Sequence, residues 1–404
     1  IMPINESNNL PFSSLSYKIY KKKYDYHKII DIKLSKEEYN YISNSYFGGR
    51  TEVFGNPTNN KIIHYFDFSG MYGQCMMELF PIGRGKFDYT NKDYSRIGFH
   101  TVKVKSNIQF PLLPVHSNNK LIFPNGEFIG TFWYEEIDLF IKNKGLVIEC
   151  YSSYLYENSD FIFQKFVEEF KFIRNKGIYY KIFGKSITNG LYGTFALKED
   201  DYITILTTSE EEFESIKKFT NVKKWIKFDK YIVVEVIRDY LSKKYYDKDN
   251  MEESRNLAYS SIIASKARIK LNKEIINLIK NGWDIYYYDT DSIFAGHDQN
   301  WLNKSIGEVT WSNIYDDAVF ISPKFYHLKN EDMKSKGVKN SKYTFDDTKN
   351  KFYNNEKIIF ENQLQFNKSN YILEQKYISK EINTNFYDKR IFTNDKKKTK
   401  SIII

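Results

Sequence analysis

The chain has 404 residues, 41% of them hydrophobic and 27% charged, enough to build cores for about two or three domains. No apolar run reaches the length of a membrane span and no secretory signal opens the chain, so no membrane insertion is expected; two cysteines, Cys75 and Cys150, exclude a disulfide framework and zinc spacing and indicate a reducing interior. A net charge of +9, from 60 Lys and Arg against 51 Asp and Glu, favours a polyanionic partner, a balance that a ribosomal or membrane-surface protein would share.

The first residue is Ile, which suggests a fragment, a processed product or a non-standard start. "KIIHYFDF" (61–68) reads as a strand leading into a short helix, "SGMYGQCMMEL", that Pro81 stops. Residues 98–156 are β-rich, with turn signals at Ser117-Asn118-Asn119 and Pro124-Asn125-Gly126. Two helical runs follow, 161–174 and 178–196, joined by Asn175-Lys176-Gly177, a link short enough for an αα-hairpin. Three polar stretches, near 207–218, 242–256 and 329–357, read as loops or solvated faces. A longer helix over 257–280 ends at Asn281-Gly282, a suitable C-cap, and "WDIYYYDTDSIFA" after it reads as strand, tight turn and return strand. Strands and helices without regular βαβ alternation predict an α+β protein.

Asp289 and Asp291 stand one residue apart in a β-prone run, where a carboxylate needs a partner or a metal. The run fits a tight turn equally well. Asp67, at the end of "KIIHYF", is a third acid that fits either a helix N-terminus or a metal site. If the two strands are neighbours, the three carboxylates could hold two Mg²⁺ ions, which prefer oxygen ligands and substrate phosphates. Such ions activate an attacking hydroxyl and stabilise the leaving oxygen of an in-line phosphoryl displacement. On the helix 178–196, Lys181, Lys185, Asn189 and Tyr192 are spaced four, four and three apart and share one face. Two lysines a turn apart suit a triphosphate, and a solvated amphipathic face would show the same spacing.

Three motifs carry a family resemblance. "DFSGMYG" (67–73) resembles motif A of the family B DNA polymerases, D-x-x-S-L-Y-P; "KSITNGLYG" (185–193) resembles motif B, K-x-x-x-N-S-x-Y-G; "YYDTDS" (287–292) matches motif C, Y-x-D-T-D-S. They occur in the family's order. "YFGG" (46–49) is similar to the Y-x-G-G/A element that joins exonuclease and polymerase regions, "KFY" (324–326) to the K-x-Y primer element, and "SIIASKARI" (261–269) to the palm helix before motif C. The resemblance is nearest to protein-primed members, such as the polymerases of linear mitochondrial plasmids and bacteriophages, and covers nearly the whole chain.

The resemblance implies a right-hand architecture, with a palm of antiparallel sheet plus helices, a fingers helical hairpin and a thumb. It implies a connecting segment over 1–50, palm over 51–97 and 251–320, and fingers over 159–196. It further implies insertions over 98–158 and 197–250, and a thumb over 321–404. Asp67 and Asp291 become the main metal ligands, with the Phe68 carbonyl and Asp289 assisting. Tyr72 becomes the gate against a 2′-hydroxyl. Arg174, Lys181 and Lys185 grip the triphosphate, and Asn189 and Tyr192 face the nascent base pair. Tyr46, Gly48 and Gly49 touch the template, and Lys324 and Tyr326 the primer.

The implied activity is DNA-directed DNA synthesis on template-primer DNA with dNTPs and two Mg²⁺ ions, with a terminal protein as primer. Gly70, Gly73 and Gly190 replace the family's Ser, Pro and Ser, and glycine there predicts looser helix starts and interiors. Residues 1–45 lack the acidic exonuclease motifs, so the chain as it stands should not proofread, and a separate chain would supply that activity. The alternative is a degenerate polymerase domain retained as a binding or structural subunit. Aromatics make up 18%, with 34 Tyr and 32 Phe; rings beside lysines suit base stacking, and A/T-rich codons also specify this composition. That bias, the Ile start and the plasmid-like resemblance together imply a mitochondrial location.

Overall fold

The computed structural model describes residues 12–57, 62–90, 92–197, 202–237, 256–297, 305–306, 309–336, 343–369, 372–384 and 388–404. Its centre is an antiparallel sheet of β1 (Thr51–Val53), β2 (Ile62–Asp67), β3 (Asp284–Asp289), β4 (Ser292–His297) and β5 (Val309–Tyr315), in the order β1-β3-β4-β2-β5, with Ser305–Ile306 at the edge beside β5. Side chains alternate across it, as the pleat requires. Phe66, Tyr288, Ile293 and Ala295 enter the main core, while Ile63, Tyr65, Tyr287 and Phe294 pack with Phe320 and Leu328 on the other face. Both faces are covered, so these strands read as apolar runs with few polar breaks.

Nine α-helices occur among the described residues, besides a 3₁₀ turn at Ile29–Asp31: α1 (Phe12–Lys23), α2 (Lys36–Ser43), α3 (Met71–Met76), α4 (Tyr134–Lys142), α5 (Gln164–Arg174), α6 (Ile178–Phe195), α7 (Glu210–Phe219), α8 (Leu257–Lys280) and α9 (Phe345–Tyr353). The helix α8 is buried around most of its circumference, and its buried positions include polar and charged residues, Lys266 and Arg268 among them, as well as apolar ones. It packs against α2, α3, α4, α6 and β3. Asn256 caps its start, and at its end Gly282, at φ 81°, lets Trp283 N–H return to the Leu278 carbonyl. The helices α5 and α6 form the predicted αα-hairpin, α3 packs on both, and α1 lies along α6.

The region 98–158 is a four-stranded sheet in the order Lys86–Asp88, Leu146–Leu155, Gly98–Ser106, Gly126–Trp133, together with α4 and a small hairpin, Val115–Ser117 with Lys120–Ile122. Asn118 and Asn119, at φ 48° and 60°, make that hairpin turn. The sheet begins at Lys86, earlier than the predicted boundary at 98, because Lys86–Asp88 pairs with Leu155–Ser153.

Two of the polar stretches read as loops or solvated faces are helices with largely exposed faces. Residues 207–218 contain α7, where Ser209 accepts from Glu212 N–H and Phe213 and Ile216, three apart, bury one face. That face packs on the sheet of Tyr202–Thr207, Val222–Phe228 and Tyr231–Ile237, giving residues 202–237 a core of their own. Residues 329–357 contain α9, started by a Thr344/Asp347 capping box. In both, a cap and a helical spacing of the buried residues, three apart at Phe213 and Ile216 and four apart at Thr348 and Phe352, give a helix despite the density of charge. The loop read at 242–256 falls, apart from Asn256, outside the described residues.

Beyond the central sheet, Ala318–Ser322, Phe325–Leu328 and Lys334–Ser335 form a small sheet. A long hairpin follows, Ile358–Ser369 with Ile372–Ile382. The segment from Arg390 then returns to the end of β1 and to the 98–158 region: Thr399 N–H donates to the Phe54 carbonyl at 2.8 Å, and Asn125 N–H to the Ile402 carbonyl at 2.9 Å. Residues grouped with the thumb in the sequence thus end on two other regions.

Candidate active site

The site forms where β2 ends and the β3–β4 hairpin turns. Asp67 is paired with Ser292 on β4 and with Thr310 on β5. At the tip, Asp291 N–H donates to the Asp289 carbonyl at 2.7 Å and Thr290 has φ 62°. This is a three-residue γ-turn on a β-branched residue, a conformation that costs on the order of 1–3 kcal/mol. It is held from outside by Thr290 N–H donating to the Arg50 carbonyl at 2.9 Å, and Gly49 lies against the Thr290 side chain. Phe68 N–H donates to the Asp291 carbonyl at 2.8 Å. One backbone hydrogen bond therefore brings Asp67 and Asp291 together across 224 positions of sequence.

The two carboxylates are half-buried. Burial, and then the charge of Asp291, push Asp67 up to about 6, with Lys185 opposing. Asp291 is raised by burial and by Asp289, against its backbone hydrogen bond, Lys185 and Lys324. Paired carboxylates that repel one another with only lysines to balance them form an oxygen donor set suited to a hard divalent cation such as Mg²⁺.

Asp289 lies apart from that pair in its contacts. Lys324 Nζ donates to both its oxygens at 2.8 Å, and Thr51 Oγ1 donates at 2.9 Å. Lys324 itself is at φ 60°, its backbone N–H donating to the Tyr287 hydroxyl at 2.9 Å. Tyr326 packs on Tyr287 and Phe294 just behind it. Among the described residues, no three His, Cys, Asp or Glu side chains converge as a metal-binding group. Asp289 thus stands beside the facing pair, close enough for its charge to act on Asp291, with Lys324 on both its oxygens.

On α6, Lys181 and Lys185 are exposed and Asn189 and Tyr192 half-buried, while Gly184, Ile187, Thr188 and Leu191 are buried. The stripe thus faces outward. The Tyr192 ring stacks on Tyr72 with centroids 4.5 Å apart and planes 14° from parallel. Tyr72 and Tyr46 are both electrostatic neighbours of the Tyr192 hydroxyl, which links motifs A and B to the "YFGG" element. Burial pushes the Tyr72 hydroxyl up to about 12 and the Tyr192 hydroxyl higher still. Arg174, at the end of α5, sets its guanidinium beside Gly70, and Gly48 stands exposed at the surface.

Two of the three glycine departures stand where a side chain would be strained or crowded. Gly70 caps α3 at φ 71°, where an L side chain is strained. A Cβ on Gly190 would stand 3.1 Å from Ser13 Cα and 3.2 Å from the Phe12 carbonyl oxygen, so a side chain there would press on the backbone of α1.

A buried polar frame behind the tip was not legible in the sequence. Arg50 donates to Glu52 and Asn272 and lies 3.8 Å from the Phe123 ring centroid; the Tyr288 hydroxyl donates to Glu52. Arg268 binds Glu136 through two hydrogen bonds of 2.8 and 2.9 Å and donates to the Phe47 carbonyl, and Lys266 donates to Glu78 and Glu135. The only sequence signal is charge inside β-prone or apolar runs; the partner acids of Arg268 and Lys266 stand too far along the chain for spacing to find them, and the pairing of Arg50 with Glu52, two residues on, depends on burial. Lys389 likewise reaches the Thr51 carbonyl at 3.1 Å, its ammonium held down in pKa by burial.

The chain belongs to the organellar and viral type B DNA polymerases, whose family profile matches residues 2–277. A "Probable DNA polymerase" of Podospora anserina is 26% identical over 403 residues, a match covering 91% of this chain and 33% of that protein. The chain therefore spans about a third of the length of that curated relative. Phi29 DNA polymerase, solved with primer-template DNA and incoming nucleotide, superposes with a TM-score of 0.65 at 13% identity, covering 93% of this chain and 68% of its own. Its orthorhombic crystal form gives 0.62 at 15% identity with the same coverage. The likeness establishes the right-hand polymerase fold.

Proposed function

We propose that this chain is a DNA-directed DNA polymerase core that adds dNTPs to a 3′ or protein-borne hydroxyl on template-primer DNA. The observation that carries this reading is the convergence of Asp67 and Asp291 on neighbouring strand ends with Lys185 facing both. Two Mg²⁺ ions held by these carboxylates and the Phe68 carbonyl would supply activation of the hydroxyl and stabilisation of the leaving oxygen. The chain's own residues do the rest. Lys185, Lys181 and Arg174 bind and orient the triphosphate. Tyr72, braced by Tyr192, excludes a 2′-hydroxyl. Asp289 orients Lys324 toward the primer strand, and Tyr46, Gly48 and Gly49 take the template.

Protein-primed replication of a linear element in the mitochondrion is the setting supported by the plasmid-like resemblance and the A/T-biased composition. There the 98–158 sheet would contact a terminal protein, and the 197–250 unit would hold DNA for processive synthesis.

Primer extension with the Asp291→Asn variant tests the chemistry. Nucleotide addition should fall by several orders of magnitude with DNA affinity nearly unchanged, since an amide cannot hold the cations. The substitution also relieves the charge on Asp67, so the metal-free variant should melt no lower than the parent at neutral pH. Extension by Asp291→Asn at the parental rate would remove the catalytic assignment.

A further inference from the structure

The turn between α5 and α6 carries a surface that the site above leaves unexplained. Phe172 is 66% exposed, Ile178 72%, Tyr179 84%, Tyr180 53% and Ile182 60%. Single exposed apolar residues are ordinary, but five at one end of one helical hairpin form a patch that needs an occupant. The charge around it is of one sign. From Phe170 to Leu197 the chain holds Lys171, Arg174, Lys176, Lys181 and Lys185 and no Asp or Glu. The Lys176 ammonium stands 5.0 Å from the Phe172 ring centroid.

An apolar seat for a protein segment needs no such bias, and cations beside it would meet no counter-charge. A polyanion that carries flat π-faces satisfies both features, because its phosphates take the lysines while its bases take the rings. Position points the same way. The helix α6 runs from Tyr179 past Lys185 to Tyr192, about 20 Å along its axis, so the patch stands a short reach from the acidic pair.

We propose that the tip of the α5–α6 hairpin is a stacking platform for the single-stranded template ahead of the active site, with Phe172, Tyr179 and Tyr180 as the rings and Lys171 and Lys176 as the phosphate contacts. The proposal rests on the polymerase reading for the identity of the strand. Its recognition is tolerant of sequence, because every base has a face to stack.

The test compares binding of a blunt DNA duplex with that of the same duplex bearing a ten-nucleotide 5′ template extension, at one fixed salt concentration. In the parent, the extension should tighten binding by on the order of tenfold, the effect of a single well-stacked base. In Phe172→Ser/Tyr179→Ser/Tyr180→Ser that advantage should shrink to about twofold or less. Blunt-duplex affinity and melting temperature should stay at parental values, since all three side chains are exposed. An extension advantage of equal size in parent and variant overturns the platform, as does a parent with no advantage; a surface that seats a protein segment gives one of these results. Single-nucleotide addition on a one-nucleotide overhang is scored separately. Its absence in the parent would remove the polymerase reading and leave the platform standing wherever the extension advantage persists.

Discussion

Asp67 and His64 stand three residues apart on β2, and burial acts on them in opposite directions. Burial and Asp291 raise the Asp67 carboxyl to about 6, a penalty on its charged form of order 1–3 kcal/mol once partial exposure is allowed for. That penalty is what a bound cation would relieve. His64 is buried between Phe66 and Trp283, neither ring nitrogen has a hydrogen-bond partner, and burial followed by His297 lowers it from the usual imidazole value. Because the folded-state value is depressed, the unfolded chain takes up the proton first. The stability is therefore present above the ordinary imidazole value of 6.5 and lost as pH falls below it. Melting curves at pH 7.5 and 5.5 check this: the parent should lose more stability over that interval than His64→Phe. Equal losses would show that other groups govern the acid side.

The contact of α1 with α6 is where the motif B departure has its physical reason. Helix axes approach closely only where a small residue stands at the crossing, and at Gly190 the atoms in the way are the backbone of Phe12 and Ser13. Backbone cannot rotate aside as a side-chain tip can. Restoring the family's residue with Gly190→Ser should therefore destabilise the chain by about 1–3 kcal/mol, read as a shift in denaturant midpoint. Ser16 and Thr194, which bridge the same two helices through the Ile187 and Ser13 carbonyls, would be the next contacts to weaken. A neutral or stabilising Gly190→Ser would show that α1 moves at no cost.

The last segment ties three regions of the molecule together. Thr399 donates to the Phe54 carbonyl from its N–H and to the Val53 carbonyl from its Oγ1, and Ile404 exchanges hydrogen bonds with Asn125 and Glu127. Arg390 is buried on the Phe54 ring, and Thr399 and Ser401 accept its N–H groups. Removing residues 399–404 would leave that guanidinium buried with its acceptors gone and open the edge beside β1. Several lost hydrogen bonds and one unsatisfied cation come to about 3–6 kcal/mol. Such a chain should melt well below the parent, and the loss should extend to the palm, which hydrogen exchange at Thr51–Val53 and Asp284–Asp289 would detect. Unchanged exchange there would mean the segment is only surface dressing.

Local patterns alone determined the strand ending at Asp67, the two helices around Gly177, the 257–280 helix with its Asn281-Gly282 stop, and the tight turn at Asp289–Asp291. Each depends on periodicity, caps and turn residues within about ten positions. The one outward face of Lys181, Lys185, Asn189 and Tyr192 was equally legible, because helical spacing alone fixes it. Only the tertiary structure decided that Asp289 belongs to Lys324, that Tyr72 and Tyr192 lie ring on ring, and that Arg50, Glu52, Arg268 and Glu136 neutralise one another behind the tip. It alone decided, too, that the chain's end closes on β1 and on Asn125. These pairings join residues from 2 to about 350 positions apart. Their energies depend on distance and burial, neither of which spacing in sequence encodes.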